Sequence, residues 1–348
     1  MLQIDLEYVK RLALELLAIP SIAGDCDEAM RRVGSEFEKY GIPVTETNKR
    51  ALIGTWEGRD DQRQRLISAH VDTLGASVWQ IKPNGRLRLY PIGGFDWRGF
   101  AGENCLVRTL EGKEYRGTLM PDHAARHVQT EVTMNEVHDR EKVELRLDVD
   151  TASRETTQAL GIHCGDLVFF DPRTEVTSEG YIKSRFLDDK VGVAVLFGAI
   201  KAMKERGMPL AHTSHFYISN YEEIGHGTPV IPPKAVEFLS VDIGVVAEES
   251  TSNERSVTIL ARDGAMPYDR QITRQLVELA RRENIPFCVD TYMNYNSDAS
   301  GSVKAGKDIR AACFGPGLEA THHYERTHVD SLDATTRLLV AYLGENMC

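Results

Sequence analysis

The sequence predicts an α/β fold, with a mostly parallel central sheet flanked by helices and an inserted all-β domain. Two observations carry this. After residue 168, strand-like runs at 167–170, 215–220, 241–247, 286–290 and 309–314 alternate with helical stretches at 188–206, 233–238, 268–283 and 331–345. Such alternation is the pattern of a parallel sheet covered on both faces. Between 76 and 167 the texture changes to short β-like runs punctuated by Gly, Pro and Asp, which reads as hairpins. The reading of domains is therefore a split α/β domain, 1–75 and 168–348, interrupted by a β-rich insert, 76–167.

The elements follow in order. Residues 5–18 and 26–40 have apolar residues at helical spacing, and the first helix is expected to end at Ile19-Pro20. Strands are expected at 51–57 and 65–70, separated by the charged turn Gly58 to Arg63. Within the insert the strands are Val78–Ile81, Leu87–Tyr90, Cys105–Thr109, Gly117–Met120 and Lys142–Leu147, with a helix at most at 150–160.

Composition removes several classes of function. The chain has 348 residues, a net charge of −11, and 52 Asp+Glu against 41 Lys+Arg. Nucleic acid and anionic membranes demand clustered basic residues, so neither is expected as a partner. No apolar run approaches the ~18 residues of a membrane helix. Asp5, Glu7 and Glu15 spoil the N-terminal segment as a signal peptide. The six cysteines include no CxxC pair, so free thiols and a cytoplasmic setting are expected.

The chemistry sits where ligands of open α/β sheets collect, at strand ends. RLISA ends in His70-Val71-Asp72, and HFYISN runs into Tyr221-Glu222-Glu223-Ile224-Gly225. DIGVVA ends in Glu248-Glu249, and the last strand leads to His322-His323-Tyr324-Glu325-Arg326-Thr327-His328. A further acidic pair, Asp188-Asp189, heads a helix. Histidine and carboxylate without thiolate suits zinc, manganese or cobalt. His70, Asp188, Glu223, Glu248 and His322 (His323 if the register differs by one) supply enough ligands for two metals. Asp72 shares a face with His70 on an extended segment and can orient its imidazole. Glu222, beside a proposed ligand, is the candidate base for the attacking water.

These motifs resemble a family: the tetrahedral, dodecamer-forming glutamyl and deblocking aminopeptidases, within the larger clan of two-metal exopeptidases. The resemblance spans nearly the whole chain. It is carried by LLAIPSIAGDCDEAMRRV, AHVDTLG, IGGFDWRGFAGENCLVRTLEGKEYRGTL, GDLVFFDPR, SRFLDDKVGVAVLFGAIK and YEEIGHGT. It implies that Asp188 bridges two divalent ions, zinc foremost. His70 and Glu248 would complete one site, and Glu223 with a histidine near 322 the other. It further implies a peptide or small amide substrate, a water activated by Glu222, and a homo-oligomer built from dimers through the insert, up to a dodecamer. Two departures stand out. The family usually has Asp where this chain is aligned at Glu248, and THHYERTH replaces the usual His-Ser-Pro-x-Glu. Asp298, in Ser297-Asp298-Ala299, resembles a segment lining the family's site and is a candidate for the substrate amine. Arg326 and His328 are candidates for a substrate carboxylate. His123, His127 and His138 lie in the insert, and His123 and His127 read as surface residues. The rival functions are an amidohydrolase acting on N-acylated amino acids or peptides, and an inactive binding homologue.

Overall fold

The computed structural model describes residues 2–125, 127–129 and 141–348; His138 therefore lies outside the described residues. Helices α1 (Leu6–Leu17) and α2 (Asp27–Lys39) lead into β1 (Val44–Glu46), β2 (Leu52–Trp56) and β3 (Asp60–His70). Next come β4 (Gly75–Ile81), β5 (Leu87–Ile92), β6 (Asn104–Arg108), β7 (Glu114–Pro121), β8 (Val143–Leu147), α3 (Arg154–Gln158) and β9 (Leu167–Phe170). The chain continues through β10 (Glu175–Val176), β11 (Tyr181–Ser184), α4 (Leu187–Glu205), β12 (His212–Ser219), β13 (Ala235–Val241), β14 (Gly244–Val246) and β15 (Val257–Arg262). It closes with α5 (Arg270–Arg282), β16 (Phe287–Thr291), α6 (Asp298–Lys304), β17 (Arg310–Glu319), β18 (Glu325–His328) and α7 (Val329–Gly344). Contacts divide it into two compact units, Met1–Asp72 with Arg173–Cys348, and Thr73–Pro172. Among the described residues no helix is long and apolar enough to cross a membrane.

The larger unit holds a sheet ordered β1-β2-β12-β3-β13-β17-β18-β11-β10, with β14 on β17 and β15 between β17 and β16. Its centre, β12-β3-β13-β17, is parallel. The flanks are antiparallel at β1-β2, β2-β12, β17-β18, β18-β11 and β11-β10. The sheet is thus mixed rather than mostly parallel. The consecutive pairs β1-β2, β10-β11 and β17-β18 are joined by turns too short for a crossover helix, which forces antiparallel pairing, whereas β2-β12 and β11-β18 pair strands far apart in the chain.

Local sequence explains the helices that cover it. Asp5 accepts from the Tyr8 amide and caps α1. The face of α1 made by Val9, Leu12, Ala13, Leu16 and Leu17 is buried. Helix α4 is apolar nearly all round and buried along most of its length, as a central helix must be. Gly198 lets α1 approach it, because a Cβ there would lie 2.5 Å from Val9 Cγ2.

The segment 233–238, expected as a helix, is instead the start of strand β13. Its burial is nearly continuous, and Glu237 is fully buried. Glu237 Oε2 pairs with Arg65 Nε at 3.1 Å and accepts from the Tyr342 hydroxyl at 2.8 Å, while Oε1 pairs with Arg310. Glu237 thus belongs to a buried ion-pair cluster between strands.

The smaller unit is a closed barrel, β4-β5-β8-β7-β6-β9. Alternate residues fill its interior, including Val78, Leu89, Val107, Leu119, Leu145 and Val168, each at most 1% exposed.

Candidate active site

Strand ends of the larger unit deliver the site. Strand β3 ends at His70, with Asp72 just beyond, and β12 runs into a 3-10 turn, Glu222–Ile224. Asp242 follows β13 directly. The loop between β17 and β18 brings His322, which has a φ of 63°. At the head of α4, Asp188 is extended, with ψ at 110°, and its peptide bond to Asp189 is cis.

The donor atoms converge on two clusters that share Asp188. His70, Asp188 and Asp242 form one; Asp188, Glu223 and His322 form the other, with donor atoms within 4.8 Å of one another in each. Asp188 Oδ1 is 3.2 Å from His70 Nε2, and Oδ2 is 3.7 Å from His322 Nε2. Glu223 Oε2 is also 3.7 Å from His322 Nε2, and Glu222 Oε2 is 3.8 Å from His70 Nε2. Ligands on one tetrahedral zinc stand about 3.3 Å apart, given bonds of about 2.0–2.1 Å. The spacings observed are close to that.

The supports are specific. His70 Nδ1 donates to the Asp72 carbonyl at 3.0 Å, which turns Nε2 toward the cluster. The Asp72 carboxylate accepts from the amides of Glu222 and Glu223, both at 3.1 Å. It therefore orients the two glutamates, while its backbone orients the histidine. Asp189 Oδ2 accepts from the His70 amide at 3.1 Å. Gly192 is required beneath it, since a Cβ would lie 2.0 Å from Asp189 Oδ1. Glu325, buried, accepts from the amide of Asp188 at 3.2 Å and from that of His322 at 3.0 Å.

The electrostatics call for cations. Burial, with neighbouring carboxylates adding, pushes Glu223 up to about 8 and Asp242 up to about 7. Burial likewise drives Glu222 well above its ordinary value and Glu325 to about 8. Burial also works against ionisation of Asp188, but hydrogen bonds from His322 and His70 outweigh it and hold its pKa below the usual range. Among the described residues, no Lys or Arg forms an ion pair with Asp188, Glu222, Glu223 or Asp242. Two imidazoles and four carboxylates without a thiolate fit hard or borderline divalent metals.

Not every expected residue joins. Glu248 is exposed in the segment after β14 and stands outside both clusters. The expected strand at 241–247 corresponds to β14, which Glu248 follows, but the strand before it was not expected: β13 stops at Val241, so Asp242 occupies its C-terminal end. His323 also stands outside the clusters, its amide donating to Ala320 at 3.1 Å. Arg326 pairs with Glu254 at 2.9 Å and stacks on Tyr181. His328 caps α7, accepting from the Asp330 amide at 3.0 Å, and its Nε2 donates to the Glu179 carbonyl at 2.7 Å. Both serve structure. Asp298 is buried, accepts from Ser219 Oγ at 2.6 Å, and lines the cavity beside the clusters. That cavity measures about 1130 Å³, and its wall includes Lys49, Ile224, Tyr292, Tyr295 and Lys304. Asp242 and Glu325 were missed from sequence. An acidic residue directly after a buried strand was the available signal for the first.

Comparison with known proteins bears on the fold and the family. The family model for M42 glutamyl aminopeptidase matches residues 51–338. The Bacillus subtilis (strain 168) protein "Putative aminopeptidase YhfE" is 42% identical over 97% of both chains. A TET aminopeptidase from the marine sediment archaeon Thaumarchaeota archaeon SCGC AB-539-E09 superposes with a TM-score of 0.88 at 17% identity, covering 97% of this chain and 96% of that one. The TET1 peptidase of Pyrococcus horikoshii, described as assembling into a tetrahedron or a large octahedral shell, gives 0.78 at 20% identity, covering 97% and 100%. The chain belongs to the M42 glutamyl aminopeptidase family and is a metal-dependent hydrolase, an aminopeptidase.

Proposed function

We propose that this aminopeptidase removes N-terminal residues from peptides with two divalent ions per chain. Zinc is the first choice, with cobalt or manganese as alternatives. Asp188 is shared; His70 and Asp242 complete one position, and Glu223 and His322 the other. The observation that carries this reading is the division of Asp188, whose Oδ1 faces His70 while Oδ2 faces His322. Bound there, the metals would polarise the peptide carbonyl and acidify water.

The chain's own residues do the rest. Glu222 stands beside the cluster, its Oε2 3.8 Å from His70 Nε2, so as a carboxylate it can take a proton from water and return it to the leaving amine. Asp72 keeps Glu222 and Glu223 in register through their amides. Asp298, lining the cavity as a carboxylate, is the group proposed for the free ammonium of the peptide.

For the whole molecule, the reading is a homo-oligomer assembled from dimers through the barrel, with a dodecamer as its end point. The shells described for the Pyrococcus horikoshii relative support this. So do exposed apolar side chains on the barrel, Trp79, Tyr90 and Leu110. A cytoplasmic setting is proposed from six cysteines, all of them free.

The test is Glu222→Gln. Metal content should stay at the wild-type level while turnover of a free-amine peptide falls about 10²- to 10⁴-fold. Near-normal turnover would remove Glu222 as base, and preferential cleavage of N-acylated substrates would replace the aminopeptidase reading of the substrate.

A further inference from the structure

The loop after β16 carries two tyrosines, Tyr292 and Tyr295, whose rings lie 5.5 Å apart and line the cavity. Both hydroxyls reach the chain just beyond β13. Tyr292 donates to the Val245 carbonyl at 3.2 Å and contacts Ser252 Oγ at 2.6 Å. Tyr295 donates to the Ile243 carbonyl at 3.0 Å, and its oxygen lies 3.3 Å from the Ile243 amide. That same amide donates to Asp242 Oδ1 at 2.7 Å.

The consequence is geometric. Asp242 leaves the end of β13, its own amide still donating to the Phe314 carbonyl at 3.1 Å, while the peptide that follows it has left the ladder. Its Oδ1 is engaged by the amide of the next residue, which leaves Oδ2 for the cluster. The direction of that carboxylate depends on the peptide plane of Ile243, and Tyr295 grips this residue at both its N–H and its C=O. The loop cannot drift away with the tyrosine, because the Tyr295 carbonyl accepts from the Gly264 amide at 2.8 Å. The approach is close enough that a Cβ on Gly264 would lie 2.4 Å from the Met293 carbonyl.

We infer that Tyr295 is a positioning residue for one metal position alone: it fixes the Asp242 carboxylate through Ile243. At the other position the backbone amide of His322 donates to Glu325. The inference rests on the proposed ligand role of Asp242. It adds that a wall of the substrate cavity and the retention of one metal are mechanically joined.

The experiment uses full-length protein and Zn²⁺ alone, read as bound zinc per chain against graded chelator. Tyr295→Phe deletes the hydroxyl and keeps the ring. It should weaken one of two zinc positions by about 10- to 100-fold, the usual effect of losing a support behind a ligand, and leave the second at wild-type affinity. Tyr292→Phe removes the neighbouring hydroxyl but touches neither Ile243 nor Asp242, so its zinc binding should match wild type. In an Asp242→Asn background, Tyr295→Phe should change zinc binding no further, an outcome that general loosening of the fold would not give. Wild-type zinc binding by Tyr295→Phe, equal weakening of both positions, or a full additive loss on top of Asp242→Asn overturns the inference. If Asp242→Asn itself keeps both zincs, the ligand assignment fails, and that result is separate from any failure of Tyr295.

Discussion

Stripping the metals should make the chain's stability depend on pH in a defined direction. Glu223 is pushed from 4.5 up to about 8 and Asp242 from 3.8 up to about 7, in both cases first by burial. Each is an acid whose folded pKa exceeds its unfolded one. Between the two values the folded chain keeps protons that the unfolded chain has released, so stability falls as pH rises. At about 1.36 kcal/mol per tenfold change in proton affinity, the two shifts correspond to about 4–5 kcal/mol apiece when taken separately. They share neighbours, so together they amount to less than twice that. His70, raised well above 6.5, acts in the same sense. Lys190, which burial lowers to about 7, acts the opposite way only above that pH. The urea midpoint of chelated protein should therefore fall between about pH 4.5 and 7, and added zinc should abolish most of the fall by holding the carboxylates ionised and paired. A metal-free midpoint that stays level or climbs through this window refutes the reasoning.

Other expectations concern single residues. Asp242→Asn should lose one zinc per chain by metal analysis, whereas Glu248→Gln, exposed and outside the clusters, should lose none. Glu237→Ala should lower unfolding stability by about 3–5 kcal/mol, because it leaves the fully buried Arg65 without its carboxylate. Glu325→Gln can accept only one of the two amide bonds now made to Asp188 and His322. It should raise the zinc concentration needed for half-maximal activity about 10-fold or more, with KM for peptide nearly unchanged at saturating zinc.

Much of the site was readable because its chemistry is local. His70, Asp72, Glu222 and Glu223 each lie within a few residues of a strand's C-terminal end, and open sheets gather ligands there. The β13 region was misread because its one charge, Glu237, is neutralised from far along the chain by Arg65 and Arg310. Without that knowledge a buried strand resembles an amphipathic helix. With β13 unrecognised, the strand end considered was that of β14, next to Glu248, and Asp242 at the end of β13 was passed over. Arg326 and His328 looked functional by proximity to His322, but β18 turns them toward Glu254 and the cap of α7. Glu325 and Tyr295 were illegible for a different reason. They act on backbone amides and carbonyls of other segments, and such bonds leave no residue-type signature. The antiparallel flanks of the sheet were hidden because two of the pairings, β2-β12 and β11-β18, bring together strands far apart in the chain.

The central claim is that a two-metal cluster built on a shared Asp188 performs the hydrolysis. The most direct measurement is a zinc titration of metal-free protein, following bound zinc per chain and hydrolysis of a free-amine peptide together. The account predicts activity that rises to a plateau at two zinc per chain, and an Asp188→Asn variant that retains neither the stoichiometry nor the activity. Hydrolysis that persists in chelator, or full activity in Asp188→Asn, would contradict it.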